Sequence, residues 1–124
     1  KEPIDVALIG IGENGHIAFN DPPADFDTKA AYIIVNLDDN CKKQQVGEGW
    51  FPTVDDVPKQ AISMSVYQIM QSKVIISCVP YKVKAKAVKD TLENDTTNLI
   101  PATILKTHPD FSLYIDEDSA SLLK

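Results

Sequence analysis

A glycine-rich segment that ends on a histidine holds the residues of this chain most able to do chemistry. Residues 6–9 form a short apolar run, three glycines follow at positions 10, 12 and 15, and His16 comes directly after them. Glycine has no Cβ, so the backbone can approach a ligand closely, and successive N–H groups in such a turn can hold an anion. Because histidine titrates near neutral pH, the segment predicts an active site for a phosphorylated or acidic small molecule.

The same glycines also fit the pattern G-x-G-x-x-G, which is typical of dinucleotide-binding loops. That function needs a helix that begins at the turn and holds the pyrophosphate at its N-terminus. An Asn-Asp pair followed by Pro22 and Pro23 excludes a long helix from Gly15. A nucleotide site and a purely structural turn are the alternatives, and His16 with the polar turn behind it favours a catalytic loop.

Composition narrows the class of protein and of partner. With 124 residues, 44% hydrophobic and 24% charged, the chain is expected to be one soluble globular domain or a piece of one. A net charge of -6 argues against nucleic acid or an anionic membrane as a partner. No apolar run reaches membrane-spanning length, and no secretory signal is present. Since the chain opens at Lys1 almost directly on a strand, we expect an upstream portion to be missing.

The remaining histidine and the cysteines suggest no further chemistry. Cys41 and Cys78 lack the spacing of a disulfide framework or a zinc site, so no metal is expected. Cys78 lies in an apolar run and is interpreted as a buried small hydrophobic residue. His108, before a proline, is interpreted as a structural or capping residue. This cysteine usage predicts a reducing, cytoplasmic location.

Periodicity predicts an α/β domain. Short apolar or β-rich runs predict strands at 6–9, 31–35, 74–79 and 112–115. Helices are predicted over 39–46, 61–71 and 82–92, with a short helix from Pro101 and a terminal helix capped by Asp116. Strands that alternate with helices indicate a largely parallel sheet. The run 6–9 suits a strand that is buried on both faces.

Two of these helices carry apolar stripes that are expected to face the core. The stripes consist of Ile62, Val66, Ile69 and Met70 in one helix, and of Val83, Ala87, Val88 and Leu92 in the other. The second helix also carries four lysines, at positions 82, 84, 86 and 89. A solvated face is the simplest interpretation, and the alternative is that a lysine in its first turn contacts an anionic ligand.

Three segments resemble the glucosamine-6-phosphate deaminase (isomerase) family. Residues 10–22, Gly-Ile-Gly-Glu-Asn-Gly-His-Ile-Ala-Phe-Asn-Asp-Pro, resemble its loop G-x-G-x-[DN]-G-H-I-[AG]-F-N-E-P. Residues 84–88 resemble the family's K-A-x-A-V, and residues 101–109 resemble P-A-S-I-L-Q-x-H-P. The segments occur in the family's order and span nearly the whole chain. The resemblance covers about the C-terminal half of a family member.

The resemblance implies a fold and a reaction. The fold is a Rossmann-like three-layer α/β sandwich with a mostly parallel sheet, in which residues 1–124 form the C-terminal part of a single sugar-phosphate isomerase/deaminase domain. The reaction converts glucosamine 6-phosphate and water to fructose 6-phosphate and ammonia, by ring opening and aldose–ketose proton transfer. No cofactor is implied, and the full-length protein is expected to be a homo-oligomer whose partner molecule is a sugar phosphate.

The resemblance also implies roles for six residues. His16 matches the histidine that assists ring opening as an acid or base, and Asn14 and Asp21 match the positions that orient and polarise it. These three are the expected catalytic residues. The expected substrate-binding residues are one cation for the phosphate and two glycines that let the backbone pass close to the sugar: Lys84, Gly10 and Gly12.

Two substitutions and one absence set this chain apart from the family pattern. Position 14 is Asn where some members have Asp, and position 21 is Asp where Glu is usual. The shorter Asp21 makes another hexosamine phosphate, such as galactosamine 6-phosphate, an alternative substrate. The family's C2 proton-abstracting aspartate and its phosphate-binding Ser/Thr-rich loop lie in the N-terminal half. We therefore expect this chain alone to be inactive.

Two further classes of protein stay open as alternatives. 6-Phosphogluconolactonases share the fold and a G-x-G-x-D-G-H loop, but Ser-Leu-Phe-Pro-like residues typically follow their histidine, unlike residues 17–21 here. A non-catalytic sugar-phosphate sensor would have kept the fold and lost the chemistry. The residues at positions 14 and 21 are the only support for the sensor.

Overall fold

The computed structural model describes residues 2–124 and contains two separate sets of paired strands. In chain order the strands are β1 (Val6–Leu8), β2 (Tyr32–Asn36), β3 (Gln60–Met64), β4 (Val74–Val79) and β5 (Phe111–Ile115). The α-helices are α1 (Asp39–Gly47), α2 (Val66–Met70) and α3 (Ala85–Glu93). Short 3-10 helices span Val54–Asp56, Lys82–Lys84 and Pro101–Thr107.

The larger sheet is parallel, with strand order β1-β4-β5, which confirms the expected α/β class. Ala7 lies opposite Ile75 in one pairing, and Ile75 lies opposite Phe111 in the other. Because the strands are parallel, the loops that follow β1 and β4 leave the sheet at the same edge. This edge of a parallel sheet is where ligands bind in open α/β folds.

One face of this sheet packs into the main hydrophobic core. Ala7, Ile75 and Val79 point to that face and join the buried Val88 of α3 and Leu105 of the last 3-10 helix. The helices after β4 therefore hold the sheet from one side. Burial of these apolar side chains is the main source of stability for this arrangement.

The opposite face of the same sheet is uncovered, and the expectation that β1 is buried on both faces is wrong for the described residues. Val6 and Leu8 are exposed, Leu8 by 77%. Cys78, expected to be buried, is exposed and lies opposite the exposed Tyr114. Alternation along each strand points these four side chains to one face, and no described element packs on it.

The smaller sheet is an antiparallel pair of β2 and β3, and it corrects the predicted helix over 61–71. Gln60–Met64 is extended and pairs with β2, so that Ile62 lies opposite Ile34. Ile62 is 75% exposed rather than part of the core. The helix begins only after Ser65, whose Oγ accepts a hydrogen bond from the Gln68 N–H at 3.1 Å. A serine N-cap of this kind fixes where a helix starts.

The other helix predictions are confirmed in part. α1 follows its predicted cap, since Asp38 Oδ1 accepts a hydrogen bond from the Cys41 N–H at 2.7 Å. Val83 and Leu92 are exposed rather than buried, and Val83 lies in a 3-10 turn that precedes α3. A 3-10 turn has three residues per turn, so it shifts the side chains away from the α-helical stripe. The predicted terminal helix after Asp116 is a series of turns.

His108 is held by the backbone, as its structural interpretation predicts. The buried ring accepts a hydrogen bond from the Asp110 N–H at Nδ1, at 3.0 Å, so Nε2 carries the proton. Nε2 then donates to the Ser72 carbonyl oxygen at 2.7 Å.

Within residues 2–124, no helix is both long enough and apolar enough to cross a lipid bilayer.

The corrected position of Ile62 can be tested by a pair of substitutions. Ile75→Ala removes a fully buried side chain and is expected to lower the free energy of unfolding by about 2–5 kcal/mol. Ile62→Ala acts on an exposed residue and is expected to change that free energy by no more than about 0.5 kcal/mol. Urea unfolding of both variants measures this difference. A loss of equal size in the two variants would restore Ile62 to the core.

Candidate functional site

The candidate site begins where β1 ends and the chain folds back on itself. The Gly12 N–H donates to the His16 carbonyl oxygen at 2.8 Å, and the Gly15 N–H donates to the Gly12 carbonyl oxygen at 2.9 Å. Gly15 has a φ of +83°, a left-handed conformation that glycine adopts without steric cost. The result is a closed turn rather than the start of a helix, which confirms that feature of the sequence analysis.

The His16 ring packs directly on Gly12. A Cβ built on Gly12 would lie 2.0 Å from His16 Cε1, so no side chain fits at that position. Gly10 is different, because a Cβ there would meet no described atom within 4 Å. Gly12 therefore makes room for the histidine, whereas Gly10 leaves its backbone open to the adjacent cavity of about 350 Å³.

Asn14 and Asp21 both contact His16 through its Nδ1 atom. Asn14 Oδ1 lies 2.6 Å from Nδ1 and also accepts the His16 backbone N–H at 3.0 Å. Asp21 Oδ1 lies 3.4 Å from Nδ1 and accepts a hydrogen bond from Asn14 Nδ2 at 3.3 Å. Because an amide oxygen can only accept, Nδ1 carries the proton of the neutral ring. Nε2 is then the ring nitrogen that can take a proton.

Burial shifts the pKa values of the pair in opposite directions. Burial lowers the pKa of His16, while the negative charge of Asp21 opposes that shift and the charge of Lys84 adds to it. Burial raises the pKa of Asp21, opposed by the charge of His16 and by the hydrogen bond from Asn14. Both shifts follow from the cost of burying a charge. At neutral pH the ring is therefore neutral and able to act as a base.

A buried amide pins the segment that carries Asp21 to the smaller sheet. Asn20 Nδ2 donates to the Ile17 carbonyl oxygen at 2.9 Å and to the Met64 carbonyl oxygen at 2.8 Å. The Phe19 N–H donates to Ser63 Oγ at 3.0 Å. β3 is thus the element that positions the turn after His16. The sequence pattern did not reveal this role, since it predicted a helix for these residues.

Lys84 reaches the same cavity from the 3-10 helix that follows β4. Its Nζ donates to the Ile11 carbonyl oxygen at 2.8 Å, and its side chain lines the cavity beside His16. Lys84 also lines a larger neighbouring cavity of about 870 Å³, together with Glu13 and Asn14. The structure therefore brings together all six residues expected from the sequence: Gly10, Gly12, Asn14, His16, Asp21 and Lys84.

The C-terminal end of α1 with its cap, and the segment after β4, contribute further lining residues that sequence reasoning missed. Gln44 and Glu48 line both cavities, and Gln44 Nε2 donates to Glu48 Oε1 at 3.0 Å. Tyr81 lines the larger cavity with a φ of +80° and a ψ of 149°. Such a backbone conformation is almost confined to glycine. Single-sequence patterns carry no signal for a tyrosine in this conformation.

Metal chemistry has no candidate ligand set in the part of the chain that the structure describes. Within residues 2–124, no three or more His, Cys, Asp or Glu side chains are grouped so that they could hold a metal ion. The ionisable side chains that line the cavity of about 350 Å³ are His16, Glu48 and Lys84.

The electrostatic link between Asp21 and His16 predicts a measurable titration. Asp21→Asn removes a negative charge that raises the pKa of His16, so the pKa of this histidine is expected to fall further below its usual value. NMR titration of the ring protons, assigned with a His16→Gln variant, measures the shift. Asp55→Asn, at an exposed carboxylate in the 3-10 turn after α1, is the matched control and is expected to leave the pKa of His16 in place. A rise in the pKa of His16 in Asp21→Asn would contradict this account.

Comparison with known proteins finds relatives that match nearly the whole chain. The chain matches no family model. The glucosamine-6-phosphate deaminase of Oenococcus oeni is 43% identical over 123 residues, which are 99% of this chain and 50% of that protein. The glucosamine-6-phosphate deaminase of Shouchella clausii is 40% identical over 96% of this chain and 47% of its own length.

Solved structures agree with the sequence comparison. A monomeric glucosamine-6-phosphate deaminase matches with a TM-score of 0.87 and 38% identity, over 95% of this chain and 47% of that one. 6-Phosphogluconolactonase from Trypanosoma brucei matches with a TM-score of 0.65 at 24% identity, which shows a shared fold alone. The chain spans about half the length of the relatives it matches. Over its whole length, the chain is therefore homologous to about half of a glucosamine-6-phosphate deaminase.

Proposed function

We propose that the protein to which this chain contributes converts glucosamine 6-phosphate and water to fructose 6-phosphate and ammonia. The observation that carries the proposal is the buried His16, whose Nδ1 is held by Asn14 at 2.6 Å and faces Asp21 at 3.4 Å, beside a cavity that Lys84 also lines. A neutral imidazole and an ammonium group at one cavity, with a carboxylate behind the imidazole, suit proton transfer on a phosphorylated sugar.

His16 is proposed to open the sugar ring. Nε2 takes the proton of the anomeric hydroxyl, the bond between the anomeric carbon and the ring oxygen breaks, and the proton is returned to that oxygen. Between these two transfers the His16 imidazole is in its imidazolium form, in which both ring nitrogens carry protons. Asn14 fixes the starting tautomer, since its amide oxygen holds the proton on Nδ1.

Asp21 is proposed to stabilise the imidazolium, because Asn14 carries no charge. An amide can orient an imidazole, but only a carboxylate offers a full negative charge to its protonated form. Asp21 Oδ1 is 3.4 Å from Nδ1, so the shorter side chain reaches the ring without displacing Asn14. This division of roles between the two residues supports activity despite the substitutions at positions 14 and 21.

Lys84 and Gly10 are proposed to bind the substrate. The Lys84 ammonium uses one described acceptor, the Ile11 carbonyl oxygen, and its other N–H groups can bind phosphate oxygens. Gly10 lines the cavity beside His16 with open space where a side chain would be, so its backbone can approach the sugar. Gly12 lines the same cavity, but its role is to accommodate the His16 ring.

Residues 1–124 are proposed to be the C-terminal part of a single domain in a cytoplasmic protein. Two observations support a larger domain: the relatives are about twice as long as this chain, and the parallel sheet has one uncovered apolar face. Parallel sheets are normally covered on both faces. The aspartate that takes the proton from C2 of the sugar is expected in the N-terminal half of that domain. The sequence-based expectation of a homo-oligomer stays a prediction. A similar solved deaminase is monomeric.

Ammonia release from glucosamine 6-phosphate tests the reaction and the role of His16. The full-length protein is expected to release ammonia, and His16→Ala is expected to lower kcat by about 10²–10⁴-fold because a proton carrier is lost. The 124-residue chain alone is expected to give no turnover. Release from galactosamine 6-phosphate alone would identify the other epimer, and lactone hydrolysis without ammonia would identify a lactonase. Tight binding without turnover would favour the sensor.

A pair of lysine substitutions tests the phosphate site. Lys84→Met in the full-length protein removes a charge that lines the cavity and is expected to raise KM at least about tenfold, the effect of roughly 1.4 kcal/mol. Lys86→Met, two residues along, removes a lysine that is exposed and paired with Asp90, and KM is expected to stay unchanged. Steady-state kinetics of both variants measure the contrast. Equal effects on KM would remove Lys84 from the phosphate site.

A further inference from the structure

Two side chains of opposite charge line the cavity beside His16 without pairing with each other. Glu48 and Lys84 both line the cavity of about 350 Å³ and the larger one next to it. Among residues 2–124, these two side chains form no ion pair with each other. A carboxylate and an ammonium group that are held apart at one cavity suit a ligand that carries both a positive and a negative group.

Glu48 is held in place by the end of α1. Its N–H donates to the Gln44 carbonyl oxygen at 2.9 Å, as the C-cap of the helix. Gly49 follows with a φ of +85°, the left-handed conformation with which many helices end. The chain then turns back, so that the Trp50 N–H donates to the Gln45 carbonyl oxygen at 3.1 Å. This turn brings the Trp50 ring to the Glu48 carboxylate.

Each carboxylate oxygen of Glu48 accepts a hydrogen bond from a neutral group. Gln44 Nε2 donates to Oε1 at 3.0 Å, and Trp50 Nε1 donates to Oε2 at 3.3 Å. A carboxylate oxygen can accept two hydrogen bonds, so each of them can accept one more. Glu48 is thus oriented but not neutralised, just as the Ile11 carbonyl oxygen holds the Lys84 ammonium group without removing its charge.

The surroundings of Glu48 add to the negative potential at this end of the cavity. The last carbonyl groups of a helix give its C-terminus a partial negative charge, and the last turn of α1 contains no basic residue. Burial lowers the pKa of His16, and the charge of Glu48 is one of the negative charges that oppose this shift. A cation bound here would therefore be stabilised by both the carboxylate and the helix.

We propose that Glu48 is a specificity-determining residue, which binds the ammonium group of an amino-sugar phosphate while Lys84 binds its phosphate. The inference rests on the proposed function and deepens it, since it names the residue that distinguishes an amino group at C2 from a hydroxyl. An ammonium group has three N–H donors, and its hydrogen bonds to a carboxylate are about twice as strong as neutral ones. Glucosamine and galactosamine 6-phosphate both carry this group at C2, so the role is the same for either epimer.

A second carboxylate, that of Glu13, lines the larger cavity but not the one beside His16. The proposed ring opening places the anomeric carbon at His16, and C2 is bonded to that carbon. The ammonium group therefore belongs in the cavity that His16 lines, where Glu48 is the lining carboxylate. Glu13 is the matched control, because it is an exposed glutamate close to the site that lacks this position.

Binding of two alditols to the full-length protein tests the proposal without turnover. 2-Amino-2-deoxyglucitol 6-phosphate carries the ammonium group, glucitol 6-phosphate carries a hydroxyl in its place, and neither has a carbonyl group that could react. The wild-type protein is expected to bind the amino alditol at least about tenfold more tightly. Glu48→Gln is expected to remove most of this preference by weakening the amino alditol alone, and Glu13→Gln is expected to keep it. Isothermal titration calorimetry measures the four pairs of affinities when Lys84→Met is included.

The pattern across the variants separates recognition of the ammonium group from other roles. Lys84→Met is expected to weaken both alditols alike, because both carry the phosphate. Equal weakening of the two alditols by Glu48→Gln would show a purely structural role and overturn the proposal, as would a preference lost in Glu13→Gln. An active deaminase without any preference would keep the proposed reaction and remove the ammonium site. A preference that depends on Glu48, in a protein that releases no ammonia, would keep the ammonium site and remove the reaction.

Discussion

The geometry of the site depends on one backbone hydrogen bond, from the Gly12 N–H to the His16 carbonyl oxygen at 2.8 Å. This bond closes the turn after β1 and lays the imidazole ring on Gly12, where no side chain would fit. Inside the closed turn, Asn14 can hold both the backbone and the ring of His16. The tautomer of the ring and the position of its free nitrogen follow from that closure. The orientation of the His16 ring is thus set by the closed backbone turn together with the Asn14 side chain.

The second determinant is the parallel pairing of β1 with β4. It brings two loops that are about seventy residues apart in sequence to one edge of the sheet. Lys84 meets the backbone of the glycine loop there, through the Ile11 carbonyl oxygen. The hairpin of β2 and β3 supplies the third support, since Asn20 is bound to the Met64 carbonyl oxygen. Three separate parts of the chain therefore converge on one buried histidine.

The glycine turn and His16 could be predicted from the residues, because a closed turn needs glycines and a polar continuation. The roles of Asn14, Asp21 and Lys84 were implied by the family resemblance. The α/β class and the capped α1 were also predicted, since strand runs and Asp38 are local signals. β3 was mistaken for a helix because Ile62, Val66 and Ile69 fit helical spacing, and only pairing with β2 decides the outcome. The exposure of Cys78 depends on whether another element covers that face of the sheet, and the burial of Cys41 depends on contacts with residues distant in sequence. Short-range sequence patterns predict neither.

The contact between Lys84 and the Ile11 carbonyl oxygen has a consequence for affinity at the proposed phosphate site. A free lysine side chain loses up to about 2 kcal/mol of rotamer entropy when it is ordered. Here that loss occurs when the chain folds, before any ligand arrives. An incoming anion meets an ammonium group already held in place, and it has only to share or displace one neutral acceptor. The Ile11 carbonyl oxygen thus holds the Lys84 ammonium group at the cavity before a ligand binds, and little binding energy is spent on ordering the lysine side chain.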